Sequence, residues 1–331
     1  TPHPGAVRAL EAHLDLSQTL FILASKSGTT TETSSFGDYF HQATGSGESF
    51  VIITDPESVL IEWGQREGAS ALFLNQQDIG GRYSVLSFFG LVPATIIGLD
   101  VEELLERAED EIQATAASVP VAQNRALVLG VTMAELARAG RDKLTLIASP
   151  TLEPFGDWAE QLVAESTGKE GKGTLPIVGE AVGAPEVYGD DRLFVYLRLE
   201  GEDAHDGAVE ALRQAGHPVV QLDLEDPYDL GGQFFLWEFA TAVAGVVLGI
   251  NPFDEPNVTE SKNNSKRLLQ QFEAGGQLPA RESALSEDGI ALSGSVEGDS
   301  VAAALQQFVD GVQPGQYVAL MAYLPMDEAN E

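Results

Sequence analysis

The sequence predicts an α/β protein in which helices pack on mostly parallel sheets, arranged as two successive units of similar make-up. Three observations predict it. Short β-rich apolar runs alternate with helical patterns along most of the chain, turn residues mark the changes of period, and 331 residues can bury one large core or two medium ones. The apolar share of 44% and the mean hydropathy of −0.03 are those of an ordinary globular protein.

In chain order, Leu20 to Ala24, Phe50 to Thr54 and Ala71 to Leu74 read as strands, being short apolar runs rich in branched and aromatic residues. Between them, Thr30 to Ala43 and Val59 to Gly68 read as helices, and Ser84 to Ile97 as a largely buried one. Val101 to Ala117 is amphipathic and charged, and Pro120 opens a second long helix to about Ala139, because proline suits a first helical turn. A second α/β set follows: strand Lys143 to Ala148, helix Pro154 to Ser166, a glycine-rich loop Gly168 to Gly173, strands Leu175 to Val178 and Leu193 to Leu199, helix Ala204 to Ala215, and strand Val219 to Leu224. Leu230 to Leu248 is apolar almost all round, which predicts a helix buried between layers. Periodic signal weakens after Gly275, then returns in a helix at Val301 to Val312 and a strand at Tyr317 to Leu324. These runs divide the chain into a first unit (1–119), a second (120–275) and a C-terminal extension (276–331).

Composition removes several functions. With no cysteine and five scattered histidines, thiolate chemistry, disulfides and a His-based metal cluster are all disfavoured, so catalysis must rest on carboxylates, Lys, Arg, His or hydroxyls. A formal charge of −33 opposes nucleic acid and anionic membranes as partners, since both are bound through Lys and Arg. No apolar run approaches the roughly 20 residues that span a bilayer, and Thr1 to Ala12 lacks the features of a secretory signal, so the expectation is a soluble, cytoplasmic chain. A phosphorylated ligand would have to be captured by a small local set of donors against this field.

Four segments carry chemistry. Ser25-Lys26-Ser27-Gly28-Thr29-Thr30-Thr31-Glu32-Thr33 stands where a strand gives way to a helix, offering hydroxyl donors, backbone N–H groups and the positive end of a helix dipole to a phosphate. The plainer alternative is that Thr29 or Thr30 only caps the helix. Gly80-Gly81-Arg82-Tyr83-Ser84 allows close backbone approach at Gly81 and can aim Arg82 at an oxyanion, or Arg82 can simply form a surface ion pair. In Gln161 to Lys169, Glu165 sits near a helix C-terminus, where the dipole disfavours a carboxylate, and the spacing of four puts Gln161 on the same face. Asn251-Pro252-Phe253-Asp254-Glu255-Pro256 fixes a rigid turn after the buried helix, ahead of Ser261-Lys262 at the start of another helix.

Together, in this order, the four segments resemble glucose-6-phosphate isomerases over most of residues 15 to 265, and their wording is most similar to the isomerase half of bifunctional transaldolase/glucose-6-phosphate isomerases. The resemblance implies two sugar-isomerase (flavodoxin-like, three-layer αβα) domains, the first incomplete at its N-terminus, in a homodimer that interconverts glucose 6-phosphate and fructose 6-phosphate without metal or nucleotide cofactor. It implies that Ser25, Ser27, Thr29 and Thr30 hold the phosphate with Lys26 and the Gly81 backbone in support. Glu165 would move the proton between C1 and C2, Arg82 would stabilise the enediolate, and Gln161 and Lys262 would contact substrate hydroxyls or the ring oxygen. The chain departs from the family in carrying Glu255 where most members have Gln, in offering no ring-opening histidine after Glu180, and in lacking the glycine-rich segment that precedes the phosphate loop. His205 and His217 lie in contexts that look structural, and the chain is expected to be a fragment of a longer protein, with fusion to a transaldolase domain as one form of the parent. Two other readings keep some of these residues: a non-catalytic sugar-phosphate-binding module needs only the Ser/Thr loop, and an isomerase acting on mannose 6-phosphate needs all of them.

Overall fold

A computed structural model describes residues 3–279, 282–313 and 316–323. The chain forms two compact units, Asp15–Glu255 on the one hand and Thr1–Leu14 with Pro256–Glu331 on the other. Helix α1 (Pro4–His13) belongs to the smaller of these.

The larger unit holds both parallel sheets. The first comes from β1 (Phe21–Ala24), α2 (Thr31–Thr44), β2 (Phe50–Thr54), α3 (Val59–Glu67), β3 (Ala71–Leu74) and α4 (Phe88–Ile96), with strand order β1-β2-β3. Phe21 lies opposite Phe50 and Val51 opposite Ala71 in parallel register. All of β2 is buried, as expected of a central parallel strand covered on both faces, and this is why its sequence is continuously apolar rather than alternating. Val51 and Ile53 pack against Val92 and Phe89 of α4 on one face. On the other, Phe21 stacks on Phe40 of α2 and Ile52 abuts Gly64 of α3.

Helices α5 (Val101–Ala114) and α6 (Arg125–Arg138) lead to the second sheet, built from β4 (Lys143–Ala148), α7 (Phe155–Thr167), β5 (Leu175–Ile177), β6 (Arg192–Leu199), α8 (Asp206–Gln214) and β7 (Val219–Leu224) in the order β5-β4-β6-β7, all parallel. Alternation along β6 sends Leu193, Val195 and Leu197 into a core shared with α6, α7 and α9 (Leu230–Leu248). Phe194 and Tyr196 face Val209 and Leu212 of α8. Both sheets are therefore the middle of three layers, as the fold class predicts.

Helix α9 is the hub of that core, with Leu236, Trp237, Ala240 and Ala244 fully buried. At Gly130 of α6 an added Cβ would stand 2.3 Å from the Ala240 carbonyl oxygen, so α6 and α9 cross at backbone contact and only glycine fits. Contrary to the sequence expectation, α9 is long and apolar enough to cross a membrane on length and composition alone. Here α5, α6 and α7 pack against it, and one face of it, with Leu236, Trp237, Ala240 and Ala244, lies in the core of the unit.

Other differences have local causes. The helix expected from Ser84 starts at Phe88, because Ser87 caps it by accepting from the Phe89 N–H while 81–83 make a separate 3-10 turn. It is only partly covered: Val92 is buried, whereas Phe88 and Ile96 are exposed. The helix expected from Pro120 begins at Arg125, where the Asn124 side chain accepts from the Leu127 N–H. In the smaller unit, α10 (Pro256–Gly275) starts five residues before Ser261, and a hairpin of β8 (Leu285–Glu287) and β9 (Ile290–Leu292) precedes α11 (Val301–Asp310). Asp288 and Gly289 take positive φ of 49° and 84°, the primed turn that joins twisted antiparallel strands. No strand forms over residues 317–323, where Tyr317, Leu320 and Met321 are exposed; Leu324 lies outside the described residues.

Candidate active site

Strand β1 ends at Ala24, and the loop to α2 turns sharply at Gly28, whose φ of +70° suits glycine and whose missing side chain admits Ser58 and Leu60. Ser25 is buried; its Oγ accepts from the Gly28 N–H at 3.2 Å and lies 3.0 Å from Thr30 Oγ1. Ser27 and Thr29 hydroxyls pair at 2.8 Å on the exposed side. Thr30 occupies the N-cap position of α2 yet makes no side-chain capping bond. The first N–H groups of α2 are thus left facing a rim of hydroxyls, which is the arrangement an anion requires. Lys26 does not reach over this rim freely: its ammonium pairs with Asp55 at 2.7 Å.

The Gly80-Gly81-Arg82 turn lies beside this loop, so close that a Cβ added at Gly81 would stand 4.0 Å from the Lys26 stem. Ser84 Oγ donates to the Gly81 carbonyl at 2.7 Å and holds the turn. Arg82 then runs inward, its side chain only 5% exposed. Nη1 donates to Ser166 Oγ and to the Pro252 carbonyl, and Nη2 to the carbonyls of Phe253 and Asp254. Every Nη hydrogen is committed to protein oxygens. The remaining Nε edge faces Glu165, with Nε 3.4 Å from Oε2. On the other side of that carboxylate, Gln161 Nε2 donates to Oε1 at 3.1 Å, one helical turn away on α7 as the spacing predicts.

The structure therefore gathers three of the four sequence segments around one buried guanidinium and sets the hydroxyl loop next to it. Glu165 is partly open to solvent, and the arginine opposes the unfavourable field of the α7 C-terminus. Lys262 is exposed on α10 and is described with the smaller unit alone.

Sequence reasoning missed several supporting groups. Tyr83 OH donates to Ser166 Oγ at 3.2 Å, and burial raises its phenol above the usual range while the Ser166 bond and Arg82 pull it down. Lys169 is buried against the 251–254 turn. Glu238 of α9 is a mostly buried carboxyl that desolvation pushes up to about 8. Neighbouring polar residues in the sequence signal Ser166 weakly; nothing local signals the rest. His217 packs edge-on against Phe194 and bonds the Pro185 carbonyl, on the α8 side of the second sheet. Among the described residues no cluster of three or more His, Asp or Glu is placed to hold a metal ion.

A sequence model of the family described as phosphoglucose isomerase matches residues 5–186. A glucose-6-phosphate isomerase of Parabacteroides distasonis is 29% identical over 74% of this chain and 65% of its own length, and one of Acholeplasma laidlawii is 33% identical over 60% of this chain and 55% of its own. The chain thus spans somewhat under two thirds of the length of these relatives. Among solved structures, a hypothetical protein of Thermus thermophilus superposes with a TM-score of 0.72 at 26% identity, covering 81% of this chain and 75% of that one.

Proposed function

Because the chain belongs to the phosphoglucose isomerase family, we propose that it interconverts glucose 6-phosphate and fructose 6-phosphate, with Glu165 carrying the proton between C1 and C2. The observation that carries this reading is the Glu165 carboxylate held between the Gln161 amide and the Arg82 Nε edge, beside a loop of exposed hydroxyls.

Isomerisation removes a weakly acidic C–H next to a carbonyl. It needs a base within reach of both carbons and a cation where the enediolate oxygens gather charge. Glu165 suits the first task and Arg82 the second. With its Nη hydrogens bonded to the protein, Arg82 cannot swing, so its positive charge is in place before the substrate arrives and little reorganisation is left to the reaction. Ser25, Ser27, Thr29 and Thr30, the α2 N-terminus and Lys26 would seat the phosphate at a fixed distance from the reacting carbons, with the Gly81 backbone close by. Lys262 enters this reading through the family resemblance alone, as does the homodimer. In the same reading residues 1–119 and 120–275 are two sugar-phosphate-binding domains and 276–331 an extension.

The test is a coupled assay with glucose, fructose and mannose 6-phosphates, joined to solvent-deuterium exchange at C2. Glu165→Gln should keep sugar-phosphate affinity and lower turnover by about 100-fold or more, since a positioned base supplies at least that. Exchange at the wild-type rate in Glu165→Gln would place the base elsewhere. Binding without exchange in the wild type would favour a non-catalytic sugar-phosphate module.

A further inference from the structure

Lys169 is a second buried cation that the mechanism above does not use. Its side chain is 6% exposed. The ammonium donates to the Asn251 carbonyl at 2.6 Å, to the Asp254 carboxylate at 2.5 Å and to the Asp254 carbonyl, so its three hydrogens meet three acceptors. That Asp254 carbonyl is also the one that Arg82 Nη2 reaches at 3.0 Å.

Two buried cations on one turn repel each other and each loses hydration, so the arrangement needs a compensating reason. The converging carbonyls of residues 251–254 give part of it, because they form a negative cradle. The Asp254 carboxylate beside Lys169 and Glu165 beside Arg82 give the rest, and what remains to be explained is where Lys169 stands. It directly follows Gly168, which ends α7, and stands one turn beyond Glu165. Contacts run from Glu165 along the end of α7 to Lys169, across to Asp254, on to Arg82, and from Arg82 Nε back to Glu165. A ring of contacts closed in this way fixes the base and the guanidinium against each other; opened at Lys169, it leaves the link between turn and helix to Arg82 and Tyr83, which meet both Ser166 and the Pro252 carbonyl.

We propose that Lys169 is a positioning residue, which through the shared Asp254 carbonyl holds Arg82 with its Nε edge toward Glu165. This rests on the reading that Arg82 and Glu165 carry the chemistry. A plain staple of the turn would serve stability alone and would leave catalysis untouched once the protein is folded.

The experiment measures kcat, KM, thermal midpoint and the Arg82 Nε–H NMR resonance, assigned by its loss in Arg82→Lys, for wild type, Lys169→Met and Lys169→Arg. A displaced catalytic group typically lowers turnover by about tenfold to 100-fold. Lys169→Met should lower kcat by that much with KM within about twofold, and should shift or broaden the Arg82 resonance. Lys169→Arg keeps the charge but not the three-way donor geometry, so its kcat should fall between the two. A folded Lys169→Met with wild-type kcat and resonance, or one that loses only thermal stability, overturns the proposal. Should Lys169→Met fail to fold, Lys169→Arg decides: an unmoved resonance with wild-type kcat overturns, a shifted one with reduced kcat supports. A wild type without turnover would sink the isomerase reading instead, and the resonance would still decide whether Lys169 positions Arg82.

Discussion

Thr30 starts helix α2 without capping it, and that single fact separates two roles for the hydroxyl loop. A capping threonine contributes about 1 kcal/mol to stability, whereas a hydroxyl turned to its neighbours and to a ligand contributes little until the ligand arrives. With Thr30 Oγ1 bonded to Ser25 Oγ, Thr30→Val should weaken sugar-phosphate binding by about 1–3 kcal/mol and leave the thermal midpoint nearly unchanged. Calorimetric titration beside a melting curve checks it; lost stability with unchanged affinity would mean a cap after all. Local chemistry of this kind was legible in the sequence. Hydroxyls after a strand, two glycines before an arginine, and a carboxylate with an amide four residues earlier each announce themselves within ten positions. What holds them was not legible, because Arg82 meets Ser166 across 84 positions and Asp254 across 172. No periodicity or propensity encodes such a pairing; it exists only once two sheets and a turn have been brought together.

Element by element, β2, β4 and α9 lie where their apolar runs place them: the two strands are buried almost throughout, and α9 keeps its Leu236, Trp237, Ala240 and Ala244 face in the core while Val246 is exposed. Boundaries moved at α4 and α6, where a side-chain cap at Ser87 or Asn124 decides the start more strongly than a nearby proline or apolar residue. The β8–β9 hairpin escaped notice because each strand has three residues and its exposed faces carry no alternation. Helix α9 hides a different feature inside its apolar run: Glu238, whose carboxyl burial pushes up to about 8 and whose Oε1 has no hydrogen-bond partner among the described residues. Unfolded, that carboxyl ionises near pH ~4.3, so between there and pH ~8 unfolding releases a proton and stability must fall as pH rises. Glu238→Gln removes this slope. Its thermal midpoint should match the wild type near pH 4 and exceed it at pH 8, by an amount equivalent to roughly 1–4 kcal/mol. Melting curves across that range decide; a constant gap between the two proteins would show that Glu238 is already ionised in the folded state.

At the scale of the whole molecule, 51 acidic against 18 basic residues leave an excess that no pattern of ion pairs can remove. Many cations are already engaged: Arg107 with Glu103 and Asp229, Arg192 with Glu180, Arg198 with Asp206, Lys26 with Asp55. The remaining carboxylates repel one another across the surface, and unfolding relieves that repulsion by moving them apart. Salt should therefore stabilise this protein. Between about 0.05 M and about 1 M NaCl the Debye length contracts from over ten to roughly 3 Å, shorter than the spacing of most surface charges. Attractive ion pairs are screened too, but exposed pairs contribute only about 0–1 kcal/mol each and are outnumbered by the unpaired carboxylates. The thermal midpoint should accordingly rise across this range, most steeply at the dilute end where screening changes fastest. Sucrose at matched osmolality separates the two causes of such a rise, because exclusion from the surface stabilises any fold gradually and without regard to charge. A midpoint that stays flat or falls from dilute to moderate NaCl would mean that the acidic excess does not strain the fold, and that the long-range field opposing a phosphorylated substrate is weaker than a charge of −33 implies.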